Sequence, residues 1–151
     1  MTAATPSARF FTVGYEHTTL AGLIAALHAH GVKRLIDVRD IANSRRAGFS
    51  KMLLAASLDE AGIGYLHLRA LGTPKAGREA NRAGRMDEFR EIYEASFQRP
   101  EAQLALLECA ELARAQPTAL LCSCGDGRKC HRNRIAKALA TMGLERVEIG
   151  F

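Results

Sequence analysis

The chain has 151 residues, about the length of one domain, and its 48% apolar and 25% charged residues are ordinary for a soluble globular protein. This composition excludes a disordered chain, a collagen-like chain and a disulfide scaffold. The net charge is +5, and most of the 21 basic residues are arginines, which suit bidentate contacts with phosphate or carboxylate. No apolar run approaches the roughly 18 residues of a membrane span, and no secretory signal is recognisable, so we expect a cytoplasmic protein with no membrane partner.

Five short apolar runs predict strands 1 to 5, at residues 10–14, 35–38, 65–68, 118–122 and 146–149. Apolar residues at helical spacing predict the helices between them. Residues 72–84 show no apolar period, which predicts a long basic loop. The first helix is expected to run from Thr18 or Thr19 to Gly31, and the second from Ser50 to Gly62. Residues 87–116 are expected to form two helices, with Pro100 in the first turn of the later one. The last helix is expected from Cys130 to Gly143.

The predicted order β-α-β-α-β-α-α-β-α-β indicates a single Rossmann-like three-layer α/β domain over residues 1–151, with a mostly parallel five-stranded sheet. Alternation of polar and apolar residues in 146–149 favours an edge strand. In such sheets, ligands bind beyond the carboxyl ends of the strands, near the point where strand order reverses. We expect strands 1 and 4 to flank that point and the segments after strands 1, 2 and 4 to meet at one basic edge. The net-negative residues 87–116 are expected elsewhere.

Side chains that can bind or act on an anion follow strands 1 and 2. Tyr15 can stack on a base or another ring, or simply cover the end of the sheet. Asp37 can act as a general acid or accept hydrogen bonds from Arg39 or neighbouring loops. The next four candidates, which can hold phosphate oxygens or simply form a solvated surface, are Arg39, Ser44, Arg45 and Arg46. The candidates after strand 4 are Cys122, Arg128, Cys130, His131 and Arg132.

Short motifs mark the ends of the predicted strands: Gly-Tyr-Glu at 14–16, Asp-Val-Arg at 37–39, Ser44-Arg45 with Gly-Phe-Ser at 48–50, Tyr65 leading to Leu71-Gly72, and Leu-Leu-Cys at 120–122 followed by Cys-His-Arg at 130–132. Together they resemble the domain of unknown function 488 family over nearly the whole chain. The resemblance implies a single Rossmann-like α/β domain. It implies no established reaction, since the family is named for lacking one. The chain departs from the family pattern at Cys124, where glutamate is usual, and at Ala42-Asn43, where the loop usually contains proline.

The loop after strand 4 favours a reactive thiol. Cys130 lies where a helix is predicted to begin, so backbone N–H groups and the helix dipole favour its thiolate, and the neighbouring His131 adds positive charge. Cys122 and Arg128 have the spacing Cys-x5-Arg, which resembles the phosphate loop of cysteine-dependent phosphatases. In those enzymes the cysteine attacks phosphorus while loop N–H groups and the arginine hold the oxygens. Leu121 stands where that motif usually has histidine.

Three other interpretations of the same loop remain open. Cys122, Cys124, Cys130 and His131 are four soft ligands that could hold a zinc ion. Cys122 or Cys124 could instead form a transient disulfide with Cys130. Finally, the cysteines of this loop could be small buried residues that take part in no reaction. We expect Cys109, outside the loop, to be a core residue of this kind.

Two functions follow from these observations. The first is a small enzyme, a cysteine-dependent hydrolase or transferase, that acts on a phosphorylated or nucleotide-like anion through Cys122, Cys130, His131 and Asp37. The second is a nucleotide-binding or nucleic-acid-binding module that uses its arginines without catalysis. No P-loop and no Gly-x-Gly-x-x-Gly motif is present, so ordinary ATP or NAD binding is not expected. The sequence defines no cofactor and no oligomeric state.

Overall fold

The computed structural model describes residues 8–123 and 130–151, and its strands form one sheet in which all neighbouring pairs are parallel. The order of strands in the sheet is β3-β2-β4-β1-β5. The strands are β1 (Arg9–Gly14), β2 (Arg34–Asp37), β3 (Gly64–His67), β4 (Thr118–Cys122) and β5 (Glu145–Ile149). Each predicted strand agrees with the structure to within one residue at either end. The predicted α/β class with a parallel five-stranded sheet is confirmed.

Helices cover both faces of the sheet and give the predicted three layers. One face carries α1 (Leu20–Ala29) and α2 (Lys51–Glu60), and the other carries α3 (Lys75–Arg82), α4 (Met86–Phe97), α5 (Pro100–Ala115) and α6 (His131–Thr141). Each face of the sheet has its own hydrophobic core, and successive strand residues point to opposite faces. Leu121 packs with α1 and α2, whereas Leu120 packs with the helices on the other face. Among the helices that the structure describes, none is long and apolar enough to cross a membrane.

The ends of α1 and α2 follow signals that are visible in the sequence. Thr19 is the N-cap of α1, and its hydroxyl accepts a hydrogen bond from the backbone N–H of Gly22 at 3.1 Å. Gly31 and Gly62, which follow these two helices, have φ of 69° and 77°, a conformation that glycine adopts without steric cost. Ser50 precedes α2 as predicted, but its hydroxyl donates to the carbonyl oxygen of Ser44 instead of capping the helix.

The prediction of a long loop over residues 72–84 is wrong, because residues 75–82 form α3. A short 3₁₀ turn at Arg69–Leu71 precedes this helix. The buried face of α3 consists of Gly77 and Ala80, which pack towards α4 without any large apolar side chain. A helix whose buried face is made of such small residues shows no apolar period in its sequence.

The topology brings three strand ends together at one edge of the sheet. β4 lies between β2 and β1, with Cys122 opposite Gly14 and Leu121 opposite Asp37. The chain leaves β1 and β2 towards the face that carries α1 and α2, whereas it leaves β4 towards α6 on the opposite face. The carboxyl end of β4 is therefore a crevice of the kind in which α/β sheets bind ligands. The predicted adjacency of strands 1 and 4 is confirmed.

Candidate active site

A buried ion pair supports the floor of this crevice. The guanidinium of Arg39 donates from Nε to Oδ1 of Asp37 at 2.8 Å and from Nη2 to Oδ2 at 2.6 Å. Its Nη1 also donates to the hydroxyl of Tyr15 at 3.1 Å and to the carbonyl oxygen of Phe49 at 2.8 Å. Burial alone would lower the pKa of Arg39, but the hydrogen bonds and the charge of Asp37 outweigh it and hold that pKa above its usual value. Arg39 therefore stays charged and ties the end of β1 to the loop before α2.

The same contacts show that Asp37 holds the side chain of Arg39 in place. Its side chain is fully buried, and Oδ2 also accepts a hydrogen bond from the hydroxyl of Tyr65 at 2.6 Å. Burial and this bond to the Asp37 carboxylate raise the pKa of Tyr65. Asp37 does not line the cavity described below, so the structure places it as the counter-charge of Arg39 and not on the cavity wall.

Two thiols and an imidazole form a chain of contacts above the sheet edge. Cys122 ends β4 and Cys130 is the N-cap of α6, and their Sγ atoms are 3.0 Å apart. The Sγ of Cys130 also lies 3.4 Å from Nδ1 of His131. The other ring nitrogen, Nε2, donates to the carbonyl oxygen of Val38 at 2.6 Å, which leaves Nδ1 as the acceptor in the neutral ring. His131 is thus set to take the proton of Cys130.

Both thiols are buried, which by itself disfavours a thiolate, but two features of the arrangement act in the opposite direction. A thiol at the N-cap of a helix lies at the positive end of the helix dipole, which stabilises its anion. When the proton of Cys130 passes to Nδ1 of His131, the imidazolium keeps its hydrogen bond to Val38. The Cys130 thiolate can then accept the proton of Cys122 across the 3.0 Å contact. The start of a helix at Cys130 was predicted from the sequence and is confirmed. The reactivity of Cys130 stays a prediction, and its contact with Cys122 was one of the pairings that the sequence left open.

A cavity of about 380 Å³, which we call the cationic cavity, opens beside Cys122. Its wall has three guanidinium groups, those of Arg39, Arg78 and Arg82, and a single carboxylate among the described residues, that of Asp40. Arg78 donates to Oδ2 of Asp40 at 2.6 Å. Burial alone would raise the pKa of Asp40, but Arg78 and Arg69 hold that pKa below its usual value. The described lining is Tyr15, Arg39, Asp40, Ile41, Asn43, Thr73, Arg78, Asn81, Arg82, Cys122, Ser123 and His131.

Of the residues predicted for the site, the structure brings together Tyr15, Arg39, Cys122 and His131 on the cavity wall, with Cys130 in contact with two of them. The segments after strands 1, 2 and 4 therefore meet as predicted. Arg128 and Cys124 lie outside the described residues. Among the described residues, no group of three or more His, Cys, Asp or Glu side chains is arranged to hold a metal ion. The zinc hypothesis depended on Cys124 and is left untested.

Four predicted binding residues lie away from the cavity wall. Arg46 donates to the carbonyl oxygens of Glu16 and Thr18, so it joins the loops after β1 and β2. Ser44 forms a turn with Ser50, and Arg45 is exposed outside the cavity. Arg132 is fully buried, with its guanidinium 3.2 Å from the carboxylate of Glu148 on β5.

Two helices contribute to the site in ways that the sequence did not predict. Arg78 and Arg82 of α3 are four residues apart and so share one helix face. This spacing is informative only in a helix, so it was missed when the segment was predicted to be a loop. The acidic segment was expected away from the site, yet α4 packs beside it, with the Tyr93 ring centroid 5.3 Å from that of His131. The reason is that α4 packs against α3, which itself covers the cavity. Arg134 neutralises Glu94 on α4, with contacts of 2.8 and 3.1 Å.

The fold and this site define an α/β protein with a thiol pair and a cationic cavity at the carboxyl edge of its sheet. The chain belongs to the family described as Domain of unknown function DUF488, whose characteristic pattern matches residues 19–139. This match confirms the resemblance found in the sequence, although it leaves out the motif at residues 14–16. Neither the curated proteins nor the solved structures include a match to this chain.

Proposed function

We propose that this protein is a cysteine-dependent hydrolase or transferase that acts on a phosphorylated small molecule, with Cys122 as the nucleophile. One observation carries the proposal: Cys122, which is buried, belongs to the lining of a cavity that includes three arginines, and its thiol contacts Cys130, which in turn contacts His131. The site thus combines positive charge for a phosphate with a route that removes the thiol proton.

The reaction proceeds by two displacements at phosphorus. The Cys122 thiolate attacks the phosphorus of a phosphate ester, an S–P bond forms and the ester P–O bond breaks. The leaving alcohol oxygen takes a proton from the His131 imidazolium, which received it from the thiol pair. Water, for a hydrolase, or a second alcohol, for a transferase, then attacks phosphorus and gives its proton back to His131. The S–P bond breaks, and the thiolate returns without any change in oxidation state.

The cavity charges fit a dianionic phosphate. Arg78 and Arg82 are the cations placed to contact its oxygens, since the charge of Arg39 is balanced by the buried carboxylate of Asp37. Arg78 is paired with Asp40, but it shares that carboxylate with Arg69, so the cluster of three groups keeps a net positive charge. Among the described residues, Arg82 forms no ion pair that would compete with a ligand. A cavity of about 380 Å³ suits a small anion better than the extended backbone of a nucleic acid. The mechanism needs both thiols reduced, which supports a cytoplasmic location.

The test is release of inorganic phosphate from a panel of phosphate monoesters by the full chain and its cysteine variants. We expect Cys122→Ser to abolish turnover, and His131→Gln to reduce it by about 10²–10⁴-fold, the usual contribution of a general acid–base group. Cys109→Ala is the matched control, because this buried cysteine lies in α5 outside both the thiol pair and the cationic cavity. Full turnover by Cys122→Ser would refute the nucleophile assignment.

The contact of 3.0 Å between Cys122 and Cys130 supports a second candidate function, that of a dithiol reductant. The two thiols would reduce a disulfide substrate to two thiols and become a disulfide, losing two protons and two electrons in all. The same variants separate the two functions. With an added thiol that reduces the Cys122–Cys130 disulfide again after each cycle, a dithiol reductant needs both cysteines for steady turnover of a disulfide. The phosphate reaction retains reduced activity in Cys130→Ser.

A further inference from the structure

A second cavity, of about 640 Å³, shares Asn81 and His131 with the cationic cavity. Its wall also contains Cys130, whose Sγ is 3.0 Å from that of Cys122. Both volumes fall within the range of small-molecule sites, roughly 300–1,000 Å³. The two cavities thus meet at the thiol pair, so one ligand can place its phosphate in the cationic cavity and the rest of its structure in the second.

The second cavity is lined by the aromatic residues Phe89 and Tyr93 and by Met86, and we call it the aromatic cavity. The rings of Phe89 and Tyr93 lie nearly parallel, with an angle of 20° and centroids 6.3 Å apart. The Tyr93 hydroxyl donates to the carbonyl oxygen of Leu71 at 2.8 Å, which fixes the ring. Fixed aromatic rings beside a thioether form a surface on which a planar ring packs well.

Polar groups surround this apolar surface. Asn81 and Asn133 line the cavity, and amide groups hydrogen-bond the ring heteroatoms of a nucleobase. Oδ1 of Asn133 already accepts a hydrogen bond from Arg146 at 2.7 Å, so the group that this residue offers to a ligand is its NH₂. The carboxylate of Glu94 is already paired with Arg134, so it does not oppose an anionic ligand. Lys137 is exposed at the rim and has no ion pair with any residue that the structure describes. The cavity therefore suits a planar heteroaromatic group that belongs to an anionic molecule.

We infer that the aromatic cavity binds the nucleoside part of a nucleoside monophosphate whose phosphate occupies the cationic cavity. The inference rests on the proposed function for the reaction at phosphorus, but nucleoside binding itself does not depend on that reaction. A nucleoside fits the two requirements of the wall, a ring that packs on Phe89 and Tyr93 and heteroatoms that meet the amides. A small alcohol would leave most of the 640 Å³ unfilled.

Binding is tested first without catalysis, by adenosine titration of protein carrying ¹³C-labelled methionine methyl groups. The ring current of a bound base should move the Met86 methyl resonance saturably, whereas that of Met52, which is 84% exposed and outside both cavities, should not move. Met86→Trp, which narrows the cavity, should weaken binding by about tenfold or more, and Met52→Trp should leave it unchanged. A Met86 resonance that does not move, or that ribose alone moves equally, would overturn the inference.

Turnover then separates this inference from the proposed function. If both hold, kcat/KM for adenosine monophosphate exceeds that for glycerol phosphate by about tenfold or more, and Met86→Trp removes the difference. If adenosine binds but neither ester reacts, the proposed function fails and the nucleoside site stands. If glycerol phosphate reacts as well as adenosine monophosphate and Met86 does not respond to adenosine, the nucleoside site fails and the proposed function stands.

Discussion

The carboxylate of Asp37 is the counter-charge that lets Arg39 remain ionised with only 6% of its surface exposed. Removal of one partner from such a pair leaves a buried charge without compensation, which costs far more than the intact pair contributes. Asp37→Asn is therefore expected to lower the free energy of unfolding by about 3–5 kcal/mol. Denaturant titration of the full chain measures this change.

The matched control is Asp87→Asn at the exposed ion pair between Asp87 and Arg90 on α4, whose atoms are 3.1 Å apart. Water screens that pair, so the change in unfolding free energy should be much smaller than the change caused by Asp37→Asn. Equal effects of the two substitutions would show that the Asp37–Arg39 contact is not a buried charge pair that supports the site.

The position of α3 over the cationic cavity depends on a close approach at Gly72. A Cβ atom at this position would overlap the backbone of Asp40, which cannot move aside as a flexible side chain could. Gly72→Ala is expected to destabilise the fold by about 1–3 kcal/mol or more. It should also reduce phosphate release, because it displaces the helix that carries Arg78 and Arg82. Denaturant titration and the phosphate-release assay check the two effects.

Gly64→Ala at the start of β3 is the control for Gly72→Ala. Its added Cβ would make only ordinary contacts, the nearest with the carbonyl oxygen of Lys33 at 3.7 Å. Stability of Gly72→Ala equal to that of Gly64→Ala would contradict the close packing of Gly72 against the backbone of Asp40 in the loop after β2.

The elements also show what the sequence can and cannot predict. Strands β1 to β5 were predicted because short apolar runs bounded by glycine and polar residues are typical of strands in a covered sheet. Helix α3 was missed because its buried face is Gly77 and Ala80, and with it the arginines of the cationic cavity. The thiol contact was only one of several alternatives, since spacing along the chain does not determine which side chains meet across a loop.

On the scale of the molecule, α3 supplies two of the three arginines of the cationic cavity, and α4 supplies the apolar residues that line the aromatic cavity. The net charge of +5 favours approach of anions in general. In the proposed function, selectivity comes from the order of cationic cavity, thiol pair and aromatic cavity, which matches the order of phosphate, reacting atom and nucleoside in the proposed ligand.

The central claim is that Cys122 is a reactive thiol beside a phosphate site, and the most direct measurement is its alkylation rate against pH, with and without inorganic phosphate. Peptide mass spectrometry follows each cysteine separately. We predict that Cys122 reacts readily below about pH 8.5, the usual thiol pKa, and that phosphate slows it. Cys109 is the internal control, because burial raises the pKa of its thiol to about 12. Labelling of Cys122 as slow as that of Cys109, or unaffected by phosphate, would contradict this claim.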